Sequence, residues 1–475
     1  MAETIFDVAI LGAGPGGYTA AIRAGQWGLK TCLIEKDAKL GGTCLQVGCI
    51  PTKALLFNAE IYDHLKAAKE FGIEGVTNPR INWAAVQERK NKIVAKHTKG
   101  LDYLMRKNKV TVAGGFGRLT GPRKDGILTV EVTPTDGKGT ATTVKAENVI
   151  VATGSEARML PGLKADDRVL TNIEILSLEA IPKSLIVVGA GAVGVEFASI
   201  YRSFESDVTI LEMLPRLVPL EDEEVSKELL RSFNKKGIKS HTGAKVEKVE
   251  KTKAGVAVSI TGRDGKPQKI EAEKILIAVG RAPRTEGIGL EKTKVKSERG
   301  YIHVNEWMET AEPGVYAVGD IVAGLPQLAH AGMMEGIVAV ARIAAKPARP
   351  VRRERIPNCT YCEPQIGSVG LTEAAARQAG YQVKVGKFPF TANSKASIVG
   401  SHEGFIKVVS EAKYGEILGV HIIGPSATEL IAESVAVLEL EGTVDDLMFT
   451  IHAHPTLSEG MGDAFNAVQG VAINF

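Results

Sequence analysis

Residues 8–36 read VAILGAGPGGYTAAIRAGQWGLKTCLIEK, and residues 185–213 read LIVVGAGAVGVEFASIYRSFESDVTILEM. Each stretch has an apolar strand, a Gly-x-Gly-x-x-Gly turn, a helix of small residues and a second apolar strand that ends in Glu. Gly12 is matched by Gly189 and Glu35 by Glu212, so the stretches repeat at an offset of 177 residues. A strand, a glycine turn and a helix in this order form a dinucleotide-binding unit. The sequence therefore predicts an α/β protein with two nested Rossmann-like domains.

The glycines of each turn have separate tasks. The first makes the tight turn, the second lets the backbone approach a pyrophosphate, and the third lets the helix pack on the strand. The start of the helix then offers N–H donors and a partial positive charge to the phosphates. The six predicted positions are Gly12, Gly14 and Gly17 in the first copy and Gly189, Gly191 and Gly194 in the second.

The acidic residue at the end of each second strand predicts the kind of nucleotide. Glu35 and Glu212 can each accept hydrogen bonds from a ribose. A carboxylate at residue 212 also repels a 2′-phosphate, and the following residues MLPRL offer Arg216 alone as a basic group. We therefore expect NAD rather than NADP at the second site. Two dinucleotide sites on one chain indicate electron transfer between two cofactors.

Length and composition agree with an ordinary globular chain. The 475 residues suggest about three domains. A content of 44% apolar and 24% charged residues excludes a chain that is mainly disordered, collagen-like or coiled coil. A net charge of +3 is too small to attract nucleic acid or an anionic membrane by long-range electrostatics. No apolar run reaches the length of about 18 residues that a membrane span needs. We expect a cytoplasmic protein, or one of the mitochondrial matrix if a transit peptide has been removed.

Strand and turn patterns predict the domain boundaries. The apolar strands at 149–155 and 275–283 each run into a glycine turn, at Gly154 and Gly280. Alternation over 110–148 predicts an antiparallel meander. We expect the last block to be a separate α+β domain, with strands at 366–371, 405–410 and 417–422 and helices at 426–441 and 443–450. The predicted segments are 1–155 for the first nucleotide domain, 156–280 for the second, 281–350 for the return to the first, and 351–475 for the last.

Cysteine spacing points to redox chemistry in GGTCLQVGCIP, residues 41–51. Five cysteines are too few for a disulfide scaffold at this length. Cys44 and Cys49 would lie about 140° apart on a regular helix, so a disulfide between them requires an irregular turn. Pro51 suits the first turn of a following helix, whose N-terminus would favour a thiolate at Cys49. The alternative is a pair of buried structural cysteines.

Two further motifs carry reactive side chains. His452-Ala453-His454 offers a histidine as a base near neutral pH, with Glu459 placed to orient a ring. An H-x-H pair can instead bind metal, or an inert histidine can lie in the core. Cys359 and Cys362 form a C-x-x-C that suits a second redox pair or half of a zinc site. Because no second cysteine pair completes four thiolates, we interpret these two as incidental cysteines near an interface.

These motifs identify a family. The whole chain resembles the pyridine nucleotide–disulfide oxidoreductases, and within them the class I members that reoxidise dihydrolipoamide for 2-oxo-acid dehydrogenase complexes. The most specific residues are GGTCLQVGCIPTKALL at 41–56, the two glycine motifs, YAVGD at 316–320 and HAHPTLSE at 452–459. The resemblance implies dihydrolipoamide oxidation with FAD and NAD as cofactors. We expect no metal, because no third ligand is evident beside the H-x-H pair.

The resemblance also implies a role for individual residues. Cys44 would exchange with the substrate, and Cys49 would face the flavin as the charge-transfer thiol. Lys53 would lie near the flavin with Glu196 as its ion partner. The histidine before the proline, His454, would be the base. The implied FAD ligands are the first glycine motif, Glu35, Lys53, Gly154 and Asp320; the implied NAD ligands are the second glycine motif, Glu196, Glu212 and Gly280.

The implied partners are a second copy of the chain and lipoyl domains of 2-oxo-acid dehydrogenase or glycine cleavage complexes. In the family, residues 351–475 would form the dimerisation domain and supply His454 across a two-fold axis. The alternatives are an NADPH-dependent reductase of the glutathione reductase type, which Glu212 disfavours, and a diaphorase-like or non-enzymatic assembly subunit. A mercuric-type reductase would carry a C-terminal cysteine pair, whereas this chain ends GVAINF.

Overall fold

A computed structural model describes residues 4–135, 137 and 139–475. It divides into two compact units, each made of three segments of chain. The first unit contains Met1–Ala54, Gln87–Arg158 and Arg281–Arg353, and the second contains Leu55–Val86, Met159–Gly280 and Glu354–Phe475. The finer boundaries expected from the sequence stay predictions.

The first unit is built on a sheet around the strand Ile5–Leu11. This strand pairs in parallel with Thr31–Glu35 on one side and with Thr142–Val151 on the other. Outside them, Thr111–Gly114 and Val315–Ala317 extend the parallel sheet. The inner strands are almost continuous apolar runs because both of their faces are buried.

The strand Thr142–Val151 belongs to two arrangements. Its second half lies in the parallel sheet, while its first half pairs antiparallel with Leu128–Thr133, which in turn pairs with Phe116–Leu119. The predicted antiparallel meander is therefore confirmed from residue 116 onward. It is wrong for Thr111–Gly114, which pairs in parallel with Thr31–Glu35. A strand of four residues is too short for its pattern to show the direction of pairing.

Glycines bring two helices of the first unit into close contact. The helices are Pro15–Gln26, which carries the first glycine motif, and Ala329–Ile343. A Cβ atom at Gly336 would lie 2.6 Å from the Gly16 carbonyl oxygen, so a larger residue would separate the helices. Helices Cys49–Lys66 and Trp83–Lys107 each start in one unit and end in the other.

The second unit repeats the nucleotide-binding arrangement. Its parallel sheet has the strand order Lys239–Thr242, Asp207–Glu212, Ser184–Val188, Lys274–Ile277 and Val169–Leu170. Helix Ala192–Ser203 joins the central strand to Asp207–Glu212, as Pro15–Gln26 joins its counterparts in the first unit. Helix Glu223–Lys235 follows, and an antiparallel sheet is formed by Lys245–Lys251, Val256–Thr261 and Pro267–Ala272.

The last 120 or so residues form an antiparallel sheet covered by helices. The strand order is Asn358–Thr360, Gln365–Gly370, Ile417–Gly424, Phe405–Glu411 and Val383–Pro389, and the helices are Ala427–Glu439, Val444–Met448 and Glu459–Val468. The three strands and two helices predicted here are confirmed. The strand Val383–Pro389 and the helix Glu459–Val468 were not predicted, because glycine and proline within them weaken the strand and helix patterns.

Shorter elements complete the description. The antiparallel pairs are Ser155–Ala157 with Arg281–Pro283 and Ser297–Glu298 with Tyr301–Ile302. The remaining helices are Gly42–Val47, Asn172–Ile175, Glu373–Gln378 and Ser394–Ile398, with 3-10 turns at Ala68–Phe71, Leu290–Lys292, Arg353–Arg355 and Phe390–Ala392. Among the described residues, none of the helices is long and apolar enough to cross a membrane.

Candidate active site

The first glycine motif forms a tight turn at the end of the central strand. Gly12 has a φ of +100°, and a Cβ there would lie 2.4 Å from the Ala152 carbonyl oxygen. A Cβ at Gly17 would lie 1.9 Å from the Gly12 oxygen. Only glycine fits either position. At Gly14, which caps the helix Pro15–Gln26, no atom lies within 4 Å of the Cβ position, so this side of the turn is open to a ligand.

The second glycine motif has the same geometry. Gly189 has a φ of +102°, and a Cβ at Gly194 would lie 1.9 Å from the Gly189 oxygen. The helix caps also agree, with φ −70° and ψ −177° at Gly14 and φ −72° and ψ −178° at Gly191. Space beside Gly191 is open as it is beside Gly14. Both turns thus suit a pyrophosphate lying against the N-terminus of a helix.

The two acidic residues hold matching backbone contacts. Glu35 accepts the Ala13 N–H at 2.7 Å and the Asp37 N–H at 2.9 Å. Glu212 accepts the Ala190 N–H at 2.6 Å and the Leu214 N–H at 2.7 Å. Each bond uses one of the two lone-pair positions on its oxygen, so each carboxylate can still accept from a ribose hydroxyl. The residues present therefore fit a dinucleotide at each motif.

A third group of side chains gathers at the strand ends of the first unit. The Ser155 hydroxyl donates to Asp320, and Arg281 Nε donates to Ser155 Oγ at 2.6 Å. Arg281 also donates to the Ser155 carbonyl at 2.7 Å and lies 3.7 Å from the Asp320 carboxylate. Burial lowers the pKa of Arg281, while the negative charges of Asp320 and Cys49 oppose that shift. Gly154 has a φ of +71° and open space at its Cβ position.

Cys44 and Cys49 lie on separate helices. Helix Gly42–Val47 ends at Gly48, and helix Cys49–Lys66 begins with the second cysteine, so the irregular turn expected between them is present. Both cysteines are half-buried. The pKa of Cys44 is raised well above its usual range, chiefly by a hydrogen bond with the Cys49 side chain and then by burial. Pro51 lies in the first turn of the second helix, as predicted.

Two other residues act on this cysteine pair. The positive charge of Lys53 opposes the rise in the Cys44 pKa, which places its ammonium group within electrostatic reach of the thiol. Burial raises the pKa of the Tyr18 hydroxyl to about 12, and Cys44 and Cys49 add to the rise. The structure therefore brings Tyr18, Lys53 and both cysteines together. In the second unit, Glu196 accepts the Tyr361 N–H at 2.9 Å, and its expected ion pair with Lys53 stays a prediction.

His454 and Glu459 form a hydrogen-bonded pair at the start of the helix Glu459–Val468. Nδ1 of His454 lies 2.8 Å from Glu459 Oε1. Burial tends to raise the pKa of Glu459, but the Thr456 N–H and the His454 ring outweigh it and hold the pKa below its usual range. An ionised carboxylate can only accept, so Nδ1 of His454 is the donor in this bond. The His454 side chain is 72% exposed, which leaves Nε2 accessible.

His452 differs from its neighbour. Its Nε2 lies 2.9 Å from Glu433 Oε1, and its side chain is only 10% exposed. The bond with Glu433 raises its pKa. His452 is therefore largely buried against a carboxylate, whereas His454 is exposed, and the assignment of His454 as the base stays a prediction. In the described part of the chain, no group of three or more His, Cys, Asp or Glu side chains is arranged to hold a metal ion.

The two cysteines of the C-x-x-C motif belong to the second unit. Cys362 is fully buried, its Sγ lies 3.3 Å from the Pro364 carbonyl oxygen, and burial raises its pKa well above the usual range. Cys359 is half-buried with its Sγ 4.0 Å from the Thr428 carbonyl oxygen. A buried, protonated thiol is a poor nucleophile. The surroundings of Cys362 are those of a structural cysteine.

Sequence reasoning did not single out Tyr18, Ser155 or Arg281. Tyr18 directly follows the first glycine motif, and the other two directly follow the glycine turns at 154 and 280. Their position next to predicted ligand turns is a signal, but it is a weak one. Which of these side chains meet depends on how distant strand ends assemble, and that is seen only in the fold.

Comparison with known proteins gives two family matches. Residues 6–336 match the profile described as pyridine nucleotide-disulphide oxidoreductase. Residues 356–465 match the profile described as its dimerisation domain. Together the two profiles cover nearly the whole chain.

Curated relatives and a solved structure match at full length. The chain is 45% identical to dihydrolipoyl dehydrogenase of Bacillus subtilis, over 99% of this chain and all of the relative. It is 43% identical to the Rhizobium etli protein of that name, over all of both chains, and 45% identical to the one from Thermus scotoductus, over 99% and 98%. The crystal structure of LpdA from Mycobacterium tuberculosis superposes with a TM-score of 0.89 at 27% identity, over 97% and 98% of the two chains.

Proposed function

Because the chain belongs to the pyridine nucleotide-disulphide oxidoreductase family, we propose that it oxidises dihydrolipoamide to lipoamide and reduces NAD⁺ to NADH. This is the activity that the name dihydrolipoyl dehydrogenase describes, and relatives of that name match over the full chain. The observation that carries the proposal is the hydrogen-bonded pair Cys44 and Cys49, which lies in the same unit as the first glycine motif.

The proposed chemistry is a thiol–disulfide exchange at these two cysteines. A thiolate of dihydrolipoamide attacks Cys44 Sγ in the oxidised pair, and Cys49 leaves as a thiolate. The second substrate thiol then displaces Cys44 and closes the lipoamide disulfide. The substrate loses two electrons and two protons, and the pair gains the electrons.

His454 supplies the base that the exchange requires. The side chain is 72% exposed, and the neutral ring with its proton on Nδ1 has a lone pair on Nε2 that can accept the proton of the attacking substrate thiol. The Glu459 carboxylate accepts from Nδ1 at 2.8 Å, which orients the ring and stabilises its positive charge after proton uptake. The His–Glu pair is thus arranged as a general base with its orienting group.

The cofactors follow from the two glycine motifs. Gly12, Gly14, Gly17, Glu35 and Asp320 would hold FAD in the first unit, with Gly154 and Lys53 near it. Gly189, Gly191, Gly194, Glu196, Glu212 and Gly280 would hold NAD in the second. Bound FAD would supply the two-electron link between the Cys49 thiolate and the nicotinamide. The chain's own part is to orient both dinucleotides at helix N-termini and to keep Cys49 at the start of its helix.

Glu212 separates this activity from that of an NADPH-dependent disulfide reductase. The residue is 8% exposed and two backbone N–H groups hold its carboxylate in place, so the charge stays where a 2′-phosphate would lie. A second negative charge at that position would be repelled. A purely structural role in a complex is disfavoured because the cysteines, His454 and Glu459 have the surroundings that catalysis needs.

The partners belong to the same proposal. The dimerisation domain matched at residues 356–465 supports a homodimer. Phe449 and Ile451 are 85% and 96% exposed beside His454, as expected for an apolar surface that a second copy covers. We therefore place His454 of one copy at Cys44 of the other. Lipoyl domains of 2-oxo-acid dehydrogenase or glycine cleavage complexes would deliver the substrate, in the cytoplasm or the mitochondrial matrix.

A coupled assay tests the proposed activity. Purified protein is mixed with dihydrolipoamide and NAD⁺, and NADH formation is followed by its absorbance. We expect NADH to form with dihydrolipoamide as the thiol substrate. We expect none when glutathione takes the place of dihydrolipoamide. Absence of lipoamide turnover in protein that carries FAD would refute the proposal.

A further inference from the structure

A buried carboxyl group lies beside the turn that carries Asp320. Glu335 belongs to the helix Ala329–Ile343 and is fully buried. Its Oε2 accepts the Gly319 N–H at 2.6 Å. Its Oε1 is buried and has no hydrogen-bond partner among the residues that the structure describes. No step of the proposed reaction uses this group.

The helix is held close to the turn, so Glu335 cannot move away from it. A Cβ at Gly332, one turn before Glu335, would lie 3.2 Å from the Gly319 Cα. A Cβ at Gly336 would lie 2.6 Å from the Gly16 oxygen. Close contact on both sides fixes the distance between the Glu335 carboxyl and the Gly319–Asp320 turn.

These contacts favour the neutral form of the carboxyl. A carboxylate with a single hydrogen bond in an apolar environment is poorly solvated compared with the protonated acid. Burial raises the pKa of Glu335 to about 7, and the neighbouring charge of Asp320 adds to the rise, although the Gly319 N–H opposes it. Below about pH 7, Glu335 is therefore mostly neutral.

The other elements packed around Glu335 place few charged side chains near its carboxyl group. Helix Pro15–Gln26 meets Gly336 with Gly16 and Ala20, which have no ionisable side chain. On its own helix, His330 lies five residues earlier, and Arg342 lies seven residues later and pairs with Glu309. Asp320 is in turn bonded to Ser155 and lies 3.7 Å from Arg281.

We propose that Glu335 is a positioning residue for bound FAD: as a neutral acid it fixes the Gly319–Asp320 turn, and loss of its proton weakens FAD binding. This inference rests on the proposed flavoprotein function. An ionised Glu335 would place a second negative charge next to Asp320, where an anionic cofactor is expected. Binding of FAD should therefore be strongest when Glu335 is protonated and should weaken as the pH rises above about 7.

The experiment measures FAD release from the full-length holoprotein between about pH 6 and pH 9. Holoprotein is diluted to nanomolar concentration, and free FAD is measured at equilibrium by its fluorescence. Each unit of pKa difference between free and FAD-bound protein changes the dissociation constant up to about tenfold. We expect a rise of about tenfold across this range in the wild type and less than about threefold in Glu335→Gln, which stays neutral.

Two further variants separate positioning from simple damage to the core. Glu312→Gln removes another buried carboxyl of the same unit, whose two oxygens accept the Arg123 and Lys294 N–H groups at 2.9 Å. It should keep the pH dependence of the wild type. Glu335→Asp shortens the side chain, so it should release FAD more readily at every pH.

The outcomes distinguish this inference from the proposed function. A wild-type protein that binds no FAD would refute the flavoprotein function itself. A wild type that binds FAD with the same pH dependence as Glu335→Gln would refute only the role of Glu335. If Glu335→Gln does not fold, a dissociation constant that stays flat in the wild type from about pH 6 to pH 9 would also overturn the inference.

Discussion

Cys44 and Cys49 share a hydrogen bond although they belong to two different helices, one on each side of Gly48. A Cβ at Gly48 would lie 2.8 Å from the Thr43 carbonyl oxygen, so a larger residue would push the helices apart. A regular helix would point side chains five positions apart in different directions. The break at Gly48 is what brings these two thiols together.

Replacing either cysteine should abolish lipoamide turnover without loss of FAD. Cys49→Ser should also lack the long-wavelength thiolate–flavin absorbance of the two-electron-reduced protein, whereas Cys44→Ser should show that band before any reductant is added. Cys359→Ser is the matched control, because this half-buried cysteine belongs to the second unit, where its Sγ lies 4.0 Å from the Thr428 carbonyl oxygen. Wild-type turnover in Cys44→Ser would show that the pair is wrongly assigned. Absorbance spectra and the coupled assay supply both measurements.

Glu212 should set the preference for NAD over NADP. We expect the wild type to favour NAD by more than about tenfold in kcat/KM, which corresponds to about 1.4 kcal/mol. Glu212→Ala should narrow the difference because it removes both a ribose acceptor and a repulsive charge. Glu35→Ala removes the matching carboxylate of the first unit and should lower FAD content while leaving the NAD to NADP ratio unchanged. Equal kcat/KM values for the two nucleotides in the wild type would contradict this prediction.

The two neighbouring histidines should respond differently to the same substitution. His454→Gln should lower kcat for dihydrolipoamide oxidation by about 10²–10⁴-fold, the usual contribution of a general base. His452→Gln should lower it far less, because this ring is buried against Glu433. Steady-state kinetics of both variants decide the assignment. A larger loss in His452→Gln than in His454→Gln would exchange the roles of the two residues.

The bond between His452 and Glu433 should make stability depend on pH. The folded state raises the pKa of His452, so the stabilisation is fully present below the unfolded pKa of about 6.5 and is lost as the pH rises through the folded value. Glu433→Gln removes the partner. Its thermal midpoint should lie below that of the wild type at about pH 6, and the difference should shrink by about pH 9. A difference that stays constant, or grows with pH, would rule out this ion pair as the cause.

Mixed dimers test whether the site is shared between two copies. Inactive Cys44→Ser and His454→Gln chains are unfolded and refolded together, and heterodimers are identified by mass. If His454 of one copy serves Cys44 of the other, each heterodimer has one doubly damaged site and one intact site. Its activity should then return towards half of the wild-type value. Heterodimers that form but stay inactive would show that both residues come from one chain.

Much of the nucleotide-binding architecture could be predicted because local sequence specifies it. A Cβ at Gly17 or Gly194 would lie 1.9 Å from the carbonyl oxygen of the first glycine of the same turn, so these contacts are local. Gly12 and Gly189 have φ values of +100° and +102°, which also favour glycine locally. The direction of pairing of Thr111–Gly114 could not be predicted, because it depends on a neighbour about 80 residues earlier in the chain.

The parts of the site that escaped prediction depend on distant segments. Ser155, Arg281 and Asp320 come from three separate strand ends, and no local pattern shows that their side chains meet. Glu335 was missed for a related reason. The residues around it predict an ordinary buried face of the helix Ala329–Ile343. Only the fold shows that its carboxyl group accepts the Gly319 N–H.

The central claim is that electrons pass between the nicotinamide and the Cys44–Cys49 pair. The most direct measurement is the alkylation state of the peptide that contains both cysteines, after the protein is quenched in denaturant with an alkylating reagent and analysed by mass spectrometry. In air-oxidised protein we expect neither cysteine to be labelled, and after anaerobic addition of NADH or dihydrolipoamide we expect both to be labelled. Labelling of Cys44 and Cys49 that does not change with either reductant would contradict the account.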